Sequence, residues 1–249
     1  FSTRNLGLLY KTNVESTKNL VNICLQKASI YFIHISSVAA LGRDGTNLLL
    51  NEKATWSEGE GNTNYARSKH LAEVELWRGI EEGLKASIVN PSVILGRCDI
   101  KKSSGTLFDK INKNSKYYPT GSSNFVDVKD VTHAIIKLLQ AKTSGERFIL
   151  NGFTISNKEL YVTISSYLKK SRPKKEITKK MLTFLKPIEN IISRLLLRTP
   201  EISSDVLKLI GLHYIYDNTK SKEALGLRYS SKEATLEDTS MYFYEKYIK

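Results

Sequence analysis

Tyr65 and Lys69 stand four apart, a spacing that puts two side chains on one face of a helix. An ammonium beside a phenol favours the phenolate and lowers its pKa from the usual value of about 10. A phenol tuned in this way gives or takes a proton near neutral pH. The spacing alone is a weak signal, because Tyr216/Lys220 and Tyr242/Lys246 repeat it. Context separates the first pair. Upstream of it, Ile30 to Ile35 (I-Y-F-I-H-I) is a nearly continuous apolar run, as expected of a parallel strand covered on both faces, and it ends on Ser36-Ser37. A hydroxyl there can hydrogen-bond a substrate carbonyl or hydroxyl and hold it against the phenol. By itself, Ser36-Ser37 reads as an ordinary strand-end turn; the combination makes it a candidate.

Several elements must position these residues. Asn13 to Lys27 reads as a helix, with Val14, Thr17, Val21, Cys24 and Ala28 on one face. A polar loop with Gly42, Asp44, Gly45 and Asn47, then Gly59 and Gly61, follows the first strand. Tyr65 to Leu84 is a helix buried along Ala72, Leu76, Ile80 and Leu84, with Gly83 suited to its C-terminal cap. Ala86 to Val89 is a strand closed by Asn90-Pro91. Strand, helix, strand implies a parallel pair, whose functional atoms gather beyond the carboxyl ends of the strands. Farther on, Phe125 to Val128 and Arg147 to Leu150 read as strands, and Asp130 as the cap of a helix from Val131 to Leu139. From Ser156 the chain turns helical and basic, with helices expected at 157–169, 180–197, 203–210, 218–225 and 236–247.

The bulk properties fit a folded domain of ordinary composition. The chain has 249 residues, 41% of them hydrophobic and 25% charged, enough for a real core in one or two domains. No apolar run is long enough to span a bilayer, no secretory signal opens the chain, and Cys24 and Cys98 lack partners at metal-ligand spacing. Free thiols and a cytoplasmic location are expected, with no metal site. The net charge of +13 is concentrated around Pro173, in Lys169, Lys170, Arg172, Lys174, Lys175, Lys179 and Lys180. No aromatic residue interleaves this run, so no specific nucleic-acid binding is expected. It reads first as a solvated connection between two helices, and second as a weak membrane-surface contact, because an amphipathic stretch from Met181 to Leu197 follows it.

With these residues in place, the chain resembles the extended short-chain dehydrogenase/reductase family, the NAD-dependent epimerase/dehydratase group. Five segments carry the resemblance in order: Tyr10 to Leu20, His34 to Gly42 (the strand-end serines), Asn64-Tyr-Ala-Arg-Ser-Lys69, Asn90-Pro-Ser-Val-Ile-Leu-Gly96 and Phe125-Val-Asp-Val-Lys-Asp130. The resemblance implies an α/β, Rossmann-like, doubly wound parallel sheet over residues 1–155, with a substrate-loop insertion near 97–124. A smaller, mostly helical substrate-binding region follows at 156–249. It implies NAD or NADP as cofactor and a small-molecule substrate. Tyr65 would be the general acid/base and, with Lys69, would contact the cofactor; Lys69 would hold the nicotinamide ribose and lower the Tyr65 pKa. Ser37 would polarise the reacting oxygen, and Pro91 and the backbone of Val93 would border the nicotinamide. Family members often pair through the helix carrying Tyr65, which leaves a homodimer open; Leu76 and Trp77 could equally pack inside the monomer.

The departures are informative. Ala39 and Leu41 stand where many nucleotide-sugar epimerases carry a hydroxyl and a Tyr, and Asn90 stands where that branch has Arg. Both lean toward the branch that resembles dihydroflavonol reductases and 3β-hydroxysteroid dehydrogenases. The Gly-rich turn that takes the pyrophosphate is not found; Gly59-Glu-Gly61 has no third Gly. The expectation is that the first strand–helix units are missing from this sequence, and with them the residue that selects NAD or NADP. Three readings stand: an oxidoreductase on a carbonyl or secondary alcohol, a nucleotide-sugar epimerase or dehydratase with tightly bound NAD, and a non-catalytic protein that senses NAD(P) or binds RNA or protein.

Overall fold

A computed structural model describes residues 6–27, 29–43, 49–57, 62–197, 200 and 202–249. Ala28, Asp44, Gly45, Asn47, Gly59 and Gly61, singled out above, lie outside the described residues. In chain order the elements begin with α1 (Leu6–Tyr10), a π-helical turn (Lys11–Glu15), α2 (Ser16–Leu25), β1 (Tyr31–Ile35), a 3₁₀ turn (Val38–Leu41) and β2 (Leu49–Leu50). Next come α3 (Asn64–Glu81), β3 (Lys85–Pro91), β4 (Val93–Leu95), α4 (Gly105–Asn112), β5 (Tyr117–Pro119) and β6 (Ser122–Asp127). The rest comprises α5 (Val128–Ala141), β7 (Glu146–Leu150), β8 (Phe153–Ser156), α6 (Asn157–Tyr167), β9 (Lys175–Ile177), α7 (Lys179–Leu195), α8 (Ser204–Leu209), β10 (Ile215–Tyr216), α9 (Thr219–Leu225) and α10 (Lys232–Tyr247).

The chain forms two compact units, and they interleave in sequence. The first is Phe1–Ser92, Val131–Leu150 and Ile215–Arg228; the second is Val93–Asp130, Asn151–Tyr214 and Tyr229–Lys249. The expected single break after residue 155 is replaced by this division, because β7 returns to the first sheet and α9 follows it there. Within the first unit, Lys220 of α9 donates to the Glu146 carboxylate, and to the Arg147 carbonyl at 2.9 Å. The segment 97–124, expected as a loop, instead contains α4, β5 and the start of β6.

In the first unit, β1, β3 and β7 form a parallel sheet in that order, with Ile35 beside Val89 and Asn90 beside Ile149. The central strand is buried from Ala86 to Pro91, which its apolar sequence demands. Against the sheet pack α2 and α3, through Val21, Cys24, Leu76, Leu84, Ala86 and Ile88. Gly79 lets the two helices approach: a β-carbon there would collide with Val21. The helix starts where its caps dictate. Thr63 Oγ1 accepts from Ala66 N at 3.1 Å, and Gly83 ends the turn at φ +100°. Leu76 is fully buried inside the monomer and Trp77 is half-buried.

The second unit holds β4, β6 and β8, parallel between the first two and antiparallel between the last two. Its core joins Phe108, Phe125, Ile164, Leu236 and Phe243, with the Phe108 and Phe243 rings 4.6 Å apart. Helix α5 begins three residues before the expected Val131. Asp127, not Asp130, takes its N-terminal backbone, accepting from Lys129 N at 2.9 Å. Asp130 instead accepts from the backbone and hydroxyl of Ser230 at 2.9 and 3.0 Å. The basic run is not merely a connection, since Lys175–Ile177 pairs with β5 and Pro173 is buried. Both cysteines are free thiols. Among the described residues no helix is long and apolar enough to cross a membrane.

Candidate functional site

The carboxyl ends of β1 and β3 and the first turns of α3 meet within the first unit. Ser37 caps the 3₁₀ turn after β1, its hydroxyl accepting from Ala39 N at 3.2 Å. The Ser37 side chain also comes near enough to the Tyr65 phenol to counter part of the effect of burial on it, so the structure brings two of the expected site residues together. Lys69, one turn along α3, donates from Nζ to the Ile35 carbonyl at 3.2 Å. Pro91 is buried at the end of β3, and Val93 opens β4 in the second unit, 47% exposed.

The electrostatics differ from the simple expectation. Burial raises the Tyr65 pKa above its usual value, and the Ser37 side chain opposes the rise. The expected lowering by Lys69 is not seen; its ammonium donates to the Ile35 carbonyl. Burial lowers the Lys69 pKa in turn, and Glu73 pulls it back up.

Glu73 was not singled out in the sequence, yet it lies at the centre of this region. It is 1% exposed. It accepts from the Asn90 amide at 2.6 Å and lies 3.6 Å from the Arg147 guanidinium. The same Asn90 amide donates to the Ser37 carbonyl at 3.0 Å. A buried carboxylate thus ties the β1 end, the β3 end and β7 to the helix that carries Tyr65. Burial raises its pKa most, while the Ser36 hydroxyl, the Asn90 amide and Arg147 act against the rise. Its signal in the sequence is spacing: it follows Lys69 by four and Tyr65 by eight, on the same helix face.

His34 lies behind the same strand end. Burial, and then the Lys69 charge, lower its pKa from 6.5 to about 4, and its Nε2 is buried without a partner. The folded state therefore holds His34 neutral where the unfolded chain would take up a proton. That advantage is fully present above pH 6.5 and is lost as pH falls toward the folded value. Wild-type stability should fall by about 2 kcal/mol more than that of His34→Gln between pH 7 and pH 5. Urea denaturation of both proteins at the two pH values measures the difference; equal slopes would show His34 to be solvated.

Comparison with known proteins gives this geometry its context. A model of the family described as male sterility protein, an NAD-binding domain, matches residues 3–121. A Synechocystis protein described as a putative dihydroflavonol 4-reductase is 30% identical, over 94% of this chain and 70% of its own length. The chain belongs to the extended short-chain dehydrogenase/reductase family. Sterol demethylase protein B of Methylococcus capsulatus is 24% identical over 96% of this chain and 74% of its own. The crystal structure of gox2253 is 27% identical and superposes with a TM-score of 0.80 over 98% of this chain and 75% of that one. At 17% identity, a dTDP-glucose 4,6-dehydratase from Streptomyces venezuelae, solved with NAD bound, shares the fold (TM-score 0.74, over 98% of this chain and 69% of that one). This short-chain dehydrogenase/reductase is an enzyme of an NAD(P)-dependent family with an α/β, Rossmann-like fold.

The residues present suit the nicotinamide end of such a cofactor. Lys69 spends one of its ammonium donors on Ile35 and keeps others for hydroxyl groups. The buried Asn90 Oδ1 and Ser92 Oγ have no partner at the β3 end. Buried polar groups are nearly always hydrogen-bonded, to protein, to water or to a ligand, and a bound carboxamide could serve both.

Proposed function

We propose that this protein is an NAD(P)-dependent oxidoreductase that interconverts a carbonyl and a secondary alcohol, with Tyr65 as its acid/base. The single observation that carries the reading is the approach of the Ser37 side chain to the Tyr65 phenol, with Lys69 one turn away on the same helix. A substrate oxygen placed between the two hydroxyls meets a donor that polarises it and a phenol that protonates it. The cofactor, when bound, supplies or takes the hydride. Lys69 would hold the ribose hydroxyls of the nicotinamide half, and Pro91 and the Val93 backbone would border its ring. With a cofactor hydroxyl in place of the Ile35 carbonyl, the Lys69 ammonium would lie nearer the phenol and lower its pKa.

The reductase branch is favoured over sugar-nucleotide chemistry by the turn after Ser37. Ala39 and Leu41 are 8% and 1% exposed, so the positions at which many epimerases carry a hydroxyl and a Tyr serve here as apolar core. The 30%-identical relative named as a dihydroflavonol reductase points the same way.

The test mixes the protein with NADPH or NADH and a panel of aldehydes and ketones, and follows reduced-cofactor absorbance. Stoichiometric loss of absorbance with alcohol formation is expected. Tight binding of NAD without net oxidation would transfer the protein to the epimerase/dehydratase group, and no cofactor binding would leave the sensing or binding reading.

A further inference from the structure

Helix α7 has three faces. Leu182 and Ser193 are buried, at 7% and 1% exposure, with the half-buried Lys186 and Glu189 on the same side. At about 100° per residue, Phe184, Leu185, Ile188, Ile191, Ile192 and Leu195 fall on a second stripe, well around the helix from the packed one. These side chains are 81%, 44%, 56%, 64%, 41% and 77% exposed. The third face is polar and cationic, with Lys179, Lys180, Asn190 and Arg194 exposed. An apolar stripe this wide and this exposed is a surface for something else.

The basic residues before α7 and in its first turn say what. Lys169, Arg172, Lys174, Lys175, Lys179 and Lys180 are exposed, and among the described residues none of them forms an ion pair. A second copy would bring a chain of net charge +13 and the same cations against itself. A coiled coil also needs three or more heptads, and α7 has 17 residues with Pro187 inside it. An anionic bilayer surface satisfies both features, with apolar side chains entering the headgroup boundary and cations meeting lipid phosphates and carboxylates.

We propose that α7 and the basic segment before it form a docking site for an anionic lipid membrane, which would deliver an apolar substrate to the enzyme at the bilayer surface. Docking itself does not depend on the catalytic reading, because none of these residues belongs to the Tyr65 site.

Flotation of the full chain with vesicles tests it. Phosphatidylcholine vesicles are compared with vesicles that also contain phosphatidylserine, at low and raised salt. The wild type should float with the anionic vesicles only, and release with salt. Each cation near such a surface is worth roughly fivefold in partition, so Lys174→Gln/Lys175→Gln should weaken flotation at least roughly tenfold. Phe184→Gln/Ile188→Gln/Ile191→Gln/Leu195→Gln should abolish it with helix content unchanged by circular dichroism. Should that variant fail to fold, the lysine variant, altered off the helix, still decides the matter. No flotation of the wild type overturns the proposal, as does flotation that both variants retain. A wild-type dimer that the apolar-face variant converts to monomer also overturns it, by showing that a second copy covers the stripe.

Discussion

Tyr65→Phe reduces turnover by roughly 10² to 10⁴ while leaving cofactor affinity nearly unchanged, if the phenol is the proton donor. The substitution removes one oxygen and keeps the ring that fills its half-buried place on α3. The partner it strands is the Ser37 hydroxyl, which still accepts from Ala39 N at 3.2 Å, so the strand end keeps its shape. Stability should therefore change by no more than about 1 kcal/mol. A steady-state assay with a titration of cofactor fluorescence separates the effects: kcat falls and the cofactor dissociation constant does not. Ser37→Ala is the companion variant. It removes the hydroxyl that opposes the burial-driven rise of the Tyr65 pKa, so the phenol should titrate at higher pH than in the wild type. A Tyr65→Phe enzyme with undiminished kcat would remove the phenol from the chemistry and with it the oxidoreductase reading of this site.

Much of the site was legible because its residues are local. The run Ile30 to Ile35, the helix from Tyr65 and the strand closed by Pro91 are each set by a contiguous apolar pattern and by turn residues at their ends. Their order alone implies the crevice. What was not legible depends on residues far apart in sequence. Leu49–Leu50 is a strand only because Ile215–Tyr216 pairs with it. The interleaved division into units cannot be read from composition, because the returning segment 215–228 looks like the helices on either side of it. Asp127 and Asp130 are equally good helix-capping types, and the choice is made by Ser230, a hundred positions on, which takes Asp130. Glu73 and Arg147 read singly as surface charges. Only the sheet order β1-β3-β7 brings the guanidinium under α3 and makes the carboxylate a buried partner. Asn90, noted as a departure from Arg, gains its meaning there too: a neutral amide now bridges Glu73 and the Ser37 carbonyl, and the positive charge comes from β7 instead.

That arrangement gives Glu73 two separable roles, and two substitutions distinguish them. Glu73→Ala leaves a cavity and strips the Asn90 amide and Arg147 of a partner inside the unit, which should cost about 3 kcal/mol and loosen the hold on Ser37. Glu73→Gln keeps an acceptor for the Asn90 amide and removes a charge that burial already disfavours. A carboxyl whose pKa is raised by folding contributes stability below its unfolded value and loses it as pH rises through the folded one. Gln, which never ionises, avoids that loss, so at neutral pH its stability should lie within about 1 kcal/mol of wild type. Its effect should appear in the chemistry. Glu73 is what raises the Lys69 pKa against burial, so removing its charge lowers that pKa further. The ammonium is then lost at lower pH, and the alkaline limb of the kcat/KM profile moves acidward. Urea denaturation and a pH–rate profile on both variants provide the measurements. A packing role alone would weaken the Ala variant and leave the pH profile of the Gln variant unmoved, whereas a positioning role shifts that profile in an enzyme that remains as stable as the wild type.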